Sequence, residues 1–127
     1  VTAQSVLLVD DSAFFRNMLA PVLKAAGYKV RVAVNAQEGL SALRAQNFNV
    51  VLTDIEMPDM NGFEFAETIR ADNNLSQMPI IALSSLVSPA AIERGRQAGF
   101  HDFVAKFDRP GLIAALKEQT ADVQKAA

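Results

Sequence analysis

The sequence predicts an α/β fold: one five-stranded parallel β-sheet with helices on both faces. Three observations predict it. Short apolar runs of strand length recur along the chain, and several, such as Ser5-Val6-Leu7-Leu8-Val9 and Val50-Val51-Leu52-Thr53, are continuous instead of alternating. Strands buried on both faces read this way, and parallel sheets bury both faces. Between the runs lie segments with apolar residues three and four apart, the spacing of an amphipathic helix. The regular exchange of the two patterns implies β-α-β crossovers and hence parallel strands.

The elements follow in order. The first run ends in Asp10 and Asp11. Ser12 can cap a helix from about Ala13 to Ala26, in which Phe14, Phe15, Met18, Leu19, Val22 and Leu23 fall at helical spacing. Pro21 removes a backbone donor within it, so a kink or early break is expected, and Gly27 stops it. Tyr28 to Val34 reads as the second strand, and Ala36 to Ala45 as the second helix, with Leu40 and Leu43 apolar. Val50 to Thr53 is the third strand, ending in Asp54. Met57 to Gly62 contains Pro58, Asp59 and Asn61, which is loop chemistry, and Phe63 to about Ala71 is a helix. Pro79 precedes the fourth strand, Ile80-Ile81-Ala82-Leu83, which ends at Ser84. A helix runs from Pro89 to about Ala98 and stops at Gly99. Asp102 to Ala105 is a short fifth strand followed by Lys106, and Asp108 and Pro110 open a last helix to about Ala121, beyond which fraying is expected. A single domain over 5–121, with tails at 1–4 and 122–127, is the resulting organisation. There is no internal repeat, linker or low-complexity stretch.

Composition narrows the function. Of 127 residues, half are apolar and a fifth charged, which suffices for a core without disulfides or structural metal. The absence of cysteine excludes disulfides, a thiol nucleophile and Cys-ligated zinc. It fits a reducing compartment, and a cytoplasmic location is expected. The apolar runs are far shorter than the ~20 residues that span a bilayer, and no secretory signal is present, so no membrane insertion is expected. A net charge of −2 gives no general attraction to nucleic acid.

In an open parallel sheet, ligands bind outside the carboxyl ends of the strands. Those ends carry Asp10 and Asp11, Asp54, Ser84 and Lys106. Each alone has an ordinary explanation: an Asp after a strand is a common turn or cap residue, a Ser likewise, and a Lys is most often a solvated charge. Together they put three carboxylates, a hydroxyl and an ammonium at one sheet edge. Crowded carboxylates repel, and their apparent pKa values rise unless a cation intervenes. Mg²⁺ or Mn²⁺ takes such oxygen ligands, with Asp11 and Asp54 binding directly and Asp10 directly or through water. A carboxylate can also attack phosphorus to give an aspartyl phosphate, and catalysis of that transfer is mainly positioning and charge neutralisation.

Leu7-Leu8-Val9-Asp10-Asp11-Ser12, the stretch Leu52-Thr53-Asp54-Ile55-Glu56-Met57-Pro58-Asp59-Met60-Asn61-Gly62, Leu83-Ser84-Ser85 and the Phe103–Lys106 spacing resemble the receiver domain of bacterial response regulators, over nearly the whole chain. The resemblance implies a flavodoxin-like (βα)5 fold with strand order 2-1-3-4-5. It implies Asp54 as phosphoacceptor, Asp10 and Asp11 as metal-site acids, the backbone carbonyl of Glu56 as a third protein metal ligand, and Ser84 and Lys106 as contacts to the phosphoryl group. Phe103 would be the aromatic switch that swings inward when Ser84 moves, with readout on helix four, strand five and helix five. The implied partners are a histidine kinase phosphohistidine or a phosphotransfer domain as donor, and a downstream signalling protein. The only implied catalysis is of the domain's own phosphorylation and dephosphorylation, which Glu56 and Leu86 are placed to tune. Lys106-Phe107-Asp108-Arg109-Pro110-Gly111-Leu112 is similar to receivers of chemotaxis-type hybrid histidine kinases and coupling proteins. One position departs: the family usually has proline, joined by a cis peptide, where Phe107 stands. A cis bond before a non-proline residue costs ~3–4 kcal/mol, so a trans Lys106–Phe107 bond or a rebuilt loop is expected.

Other readings have specific marks against them. Asp54-Ile55-Glu56 superficially resembles the nucleophile motif of haloacid-dehalogenase-type aspartyl phosphatases, but that motif follows the first strand. A flavodoxin-like flavin site would need a Ser/Thr/Gly-rich loop where Asp10-Asp11 stand. A receiver that works as an interaction module without phosphorylation would not need the full acid, hydroxyl and lysine set. His101 is expected to be a surface turn residue and not a phosphohistidine. Glu93, Arg94 and Arg96 are expected to form a solvated face that can help to dock a partner.

Overall fold

The computed structural model describes residues 4–85 and 87–126, with side chains through residue 120. Ten elements alternate: β1 Ser5–Val9, α1 Ala13–Ala25, β2 Lys29–Ala33, α2 Ala36–Ala45, β3 Val50–Asp54, α3 Gly62–Ala71, β4 Ile80–Ser84, α4 Pro89–Ala98, β5 Asp102–Ala105 and α5 Arg109–Ala126. The strands form one sheet in the order β2-β1-β3-β4-β5, and every pairing is parallel. The α/β class and strand order are those the sequence implied.

Two apolar clusters sit on the two faces of the sheet. One joins Leu7, Val9, Val51, Ile80 and Ala82 to α2, α3 and the end of α4. The other joins Val6, Leu8, Val50, Leu52, Ile81, Leu83 and Val104 to Leu19 and Leu23 of α1 and Leu112 and Leu116 of α5. Side chains alternate across a strand, so the continuous apolar runs feed both clusters at once. The middle strands are wholly buried; β2, at one edge, exposes Lys29, Arg31 and Val32 and is shorter than the run from Tyr28 to Val34 suggested.

Local chemistry sets the helix starts. Ser12, Asn35, Asn61 and Ser88 accept hydrogen bonds from the backbone N–H groups of Phe15, Glu38, Glu64 and Ala91, and Asn61 with Glu64 forms a reciprocal capping box. α1 continues through Pro21 to Ala25, so of the two expected effects, a kink or an early break, the break does not occur. Pro21 is exposed, and water can serve the Asn17 carbonyl that loses its donor. α5 continues to Ala126, past the expected Ala121. Gly62 opens α3 because nothing larger fits: a Cβ there would collide with the Asp54 carbonyl oxygen and lie 2.8 Å from the Ile55 Cα. Its N–H also donates to the Ile55 carbonyl at 2.8 Å, folding the loop after β3 back onto the strand. Asp59, in that loop, takes a left-handed φ of 70°, a conformation that Asp tolerates better than most residues.

Candidate functional site

The alternation that builds the core also builds the site. Val6 and Leu8 face α1 and α5, and Asp10 continues that series; so does Asp54 after Val50 and Leu52, and Lys106 after Val104. Three strands thereby deliver an acid, an acid and a base to one face at their carboxyl ends. Asp10, Asp54, Ser84 and Lys106 are all buried, while Asp11 is exposed. Carboxylate oxygens of Asp10, Asp11 and Asp54 lie within 4.8 Å of one another. Lys106 Nζ stands between two of them, 2.9 Å from Asp10 Oδ2 and 3.2 Å from Asp54 Oδ1.

Backbone donors fix the acids. The Ser12 N–H donates to Asp10 Oδ1 at 2.9 Å, and the Ile55 N–H donates to Asp54 Oδ1 at 2.8 Å. Arg16 donates to the Asp10 carbonyl at 2.8 Å, and the Asp10 N–H donates to the Ala33 carbonyl at 3.1 Å, which prolongs the β1–β2 ladder into the site. Asp10 Oδ2 is close to Lys106 Nζ, yet no hydrogen bond is aligned on it. The attraction there is one of charge, and a buried carboxylate oxygen keeps an unused lone pair. An all-oxygen donor set with such an atom fits a hard divalent cation.

The electrostatics centre on Asp54. Burial, reinforced by the Asp10 charge, pushes its carboxyl up from 3.8 to about 6, against the pull of Lys106 and the Ile55 N–H. Burial, with the Asp10 charge, therefore outweighs the pull of Lys106, and a second cation would restore the balance.

The remaining sequence candidates are distributed around this centre. Glu56 opens the loop after β3 with an exposed side chain and borders a cleft of about 510 Å³ with Met57, Asn61, Phe63 and Arg94. Ser84 ends β4 and is paired with Ala105 in the sheet register. Phe103, two residues before Ala105 and so on the same face of β5 as it, lies opposite the face of Val104 and Lys106: it packs partly buried against the α2–α4 cluster, with its ring where a Cβ on Gly95 of α4 would be 3.0 Å away. Leu86 lies outside the described residues. The Lys106–Phe107 bond is trans, as expected.

Three features escaped the sequence. Lys106 Nζ lies 4.0 Å from the centroid of the Phe15 ring; Phe15 was legible only as an apolar helix residue. Arg94 is not simply solvated, since its guanidinium stacks 4.2 Å over Phe63, whereas Arg96 does pair with Glu93 at 2.6 Å on the surface. Arg70 binds the Gly99 carbonyl at 2.7 and 3.1 Å and the Ser76 carbonyl at 3.0 Å, tying α3 to the turn after α4. It also reaches His101 Nδ1 at 3.2 Å, and the Ile80 N–H lies 3.3 Å from the same nitrogen. Desolvation, with the Arg70 charge, lowers the His101 pKa, so this ring is held as a neutral acceptor.

Residues 6–117 match the model of the response regulator receiver domain. A gliding motility regulatory protein of Myxococcus xanthus is 35% identical over 101 residues, which is 80% of this chain but only 13% of that protein. Among solved structures, the chemotaxis protein CheY4 of Vibrio cholerae is similar with a TM-score of 0.86 and 32% identity, covering 92% of this chain and 98% of its own. The receiver domain of the sensor histidine kinase PA1611 of Pseudomonas aeruginosa, which has a magnesium ion coordinated in its active-site cleft, gives 0.86 and 28%, covering 94% of this chain and 99% of its own. No helix among the described residues is long and apolar enough to cross a membrane. The chain belongs to the response regulator receiver domain family, the signalling domain of two-component systems.

Proposed function

We propose that this domain is a phosphorylation-dependent switch in which Asp54 takes a phosphoryl group from the phosphohistidine of a histidine kinase or its phosphotransfer domain. The observation that carries the proposal is the buried ammonium of Lys106, at 2.9 and 3.2 Å from two acids that share their cluster with a third. Asp54 Oδ1 is occupied by the Ile55 N–H and Lys106. Oδ2 is then the attacking atom: an Oδ2–P bond forms as the donor N–P bond breaks, and the imidazole leaves with that electron pair, neutral because its other ring nitrogen already carries a proton. At neutral pH the Asp54 carboxyl is mostly ionised, as a nucleophile must be. Lys106 stays beside Oδ1 and moves its charge toward the incoming phosphoryl oxygens, and the Ser84 hydroxyl donates to another of them.

Asp10, Asp11, Asp54 and the Glu56 carbonyl would hold Mg²⁺, which would supply a second positive charge against the same oxygens. Release of the phosphoryl group to water is the domain's other reaction, and the exposed Glu56 side chain, at the mouth of the site, would help to set its rate. Ser84 and Phe103 are the proposed coupling to the outside: Ser84 is drawn to the phosphoryl group, and the Phe103 ring leaves the α4 side of β5 for the space vacated. The output is then a changed surface on α4, β5 and α5, read by a downstream signalling protein. The similarity to a kinase receiver and to a chemotaxis protein supports placement in the cytoplasm, in a hybrid kinase or a chemotaxis-type relay.

Incubation with Mg²⁺ and acetyl phosphate is the test. Intact mass is expected to rise by one phosphoryl group in the native protein and not in Asp54→Asn. A native protein that gains nothing refutes the proposal and leaves an interaction module in its place.

A further inference from the structure

The catalytic ammonium sits at the end of four rotatable bonds, and the residue after it is Phe107, not the proline the family resemblance led one to expect. Two acids attract it, but attraction alone would draw it down between them and not toward a phosphoryl group arriving above. The third side of its pocket is the face of Phe15, with the centroid 4.0 Å from Nζ. That ring is itself braced. Phe107 packs against it at 5.3 Å and 63°, and Phe14 at 5.3 Å and 83°. The backbone of Phe15 is fixed where its N–H donates to Ser12 Oγ at 3.4 Å, at the cap of α1. Phe14 and Phe107 are both 66% exposed, so the Phe15 ring is flanked by two aromatic rings at the protein surface.

We propose that Phe15, buttressed by Phe107, is a positioning residue for phosphoryl transfer, holding the Lys106 ammonium over its ring face so that the charge can pass from the carboxylates to the phosphoryl oxygens without leaving the dry pocket. The inference rests on the function proposed above. A cation over an aromatic face is attracted by the ring quadrupole most strongly where water is excluded, and Lys106 is 5% exposed. The aromatic bracket stands in for the restraint that a proline would place on the backbone after the lysine.

The experiment compares acetyl phosphate-driven phosphorylation, with Mg²⁺, in the native protein, Phe15→Leu, Phe15→Tyr, Phe107→Ala, Lys106→Met and Phe15→Leu/Lys106→Met. Phe15→Leu is expected to lower the rate by about 3- to 30-fold, the range for a desolvated cation–ring contact. Phe15→Tyr should restore it, and Phe107→Ala should cost about two- to threefold through loss of an aromatic pair. In the Lys106→Met background, Phe15→Leu should cost nothing further, because its effect runs through the ammonium. An unchanged rate in Phe15→Leu, or an equal loss in both backgrounds, overturns the inference. A second readout needs neither metal nor phosphodonor and does not depend on Phe15→Leu folding: in the native protein the Lys106 ε-methylene protons should resonate upfield of the other lysines, shifted by the ring current. Lys106 resonances at the common lysine position overturn the geometry. A native protein that takes no phosphoryl group overturns the functional reading instead, and with it this inference.

Discussion

At the residue scale, Asp54 is a group the fold holds against its preference. Its folded pKa of about 6 lies above the 3.8 of an ordinary Asp, so the folded state binds the proton more tightly than the unfolded one. The stabilisation from that proton is fully present below 3.8, declines as pH rises toward 6, and is gone above it. Metal-free Asp54→Asn should therefore be more stable than the native protein at pH 7, by about 1–3 kcal/mol, and the difference should vanish near pH 4. Urea unfolding in EDTA at the two pH values measures this; equal midpoints at pH 7 would contradict it. At the metal site proposed above, the same proton would compete with Mg²⁺. Calorimetric titration should show the apparent affinity falling about tenfold for each pH unit below 6 and levelling off above. Removing Lys106 leaves two buried acids facing each other, so Lys106→Met should destabilise the metal-free protein by about 3 kcal/mol, with part of the loss recovered in millimolar Mg²⁺. The grouping of Asp10, Asp11, Asp54 and Lys106 was legible in the sequence because each closes a strand at the same edge. Phe15 was not, since a ring that faces a cation has the same three-and-four spacing as one that faces the core.

At the element scale, the loop between β3 and α3 is set by a backbone contact. A Cβ at Gly62 would run into the Asp54 carbonyl and Ile55 Cα, neither of which can move independently of the site. Gly62→Ala should cost about 1–3 kcal/mol and slow phosphorylation as well, whereas a helix N-terminal Ala would otherwise be harmless. Thermal unfolding and the acetyl phosphate assay check both halves; a neutral outcome would mean that the loop yields freely. α1 offers the opposite case. Its Pro21 interrupts the hydrogen-bond ladder at an exposed position, and Pro21→Ala should raise stability by about 1–2 kcal/mol, read from the shift in urea midpoint. The helix itself was readable from its periodicity, but not whether the proline would end it, because Leu19 and Leu23 on either side are anchored in the core and outweigh one lost bond. Arg70 was unreadable for a different reason. Its partners are the Gly99 and Ser76 carbonyls, and every residue has a carbonyl. Periodicity can announce a strand buried on two faces; it cannot announce a clamp on the main chain.

At the scale of the whole molecule, the sheet is the one element shared by both apolar clusters, so the two faces should unfold together. Mg²⁺ bound by the folded state alone should therefore stabilise every part of the domain, by about 2.7 kcal/mol at a hundred times its Kd. Heat unfolding followed by circular dichroism should show one transition that moves upward with Mg²⁺ and stays put in Asp54→Asn; two transitions would mean that the faces are independent. The sheet also keeps the faces apart. Val104 points toward the layer that holds the acids and Lys106, and its neighbour Phe103 toward the layer of α4. On the function proposed above, a single step along the chain crosses from the residues of the chemistry to the ring that reports it. Substitutions confined to the α4 layer would then change what the Phe103 ring meets without touching the layer that holds the acids.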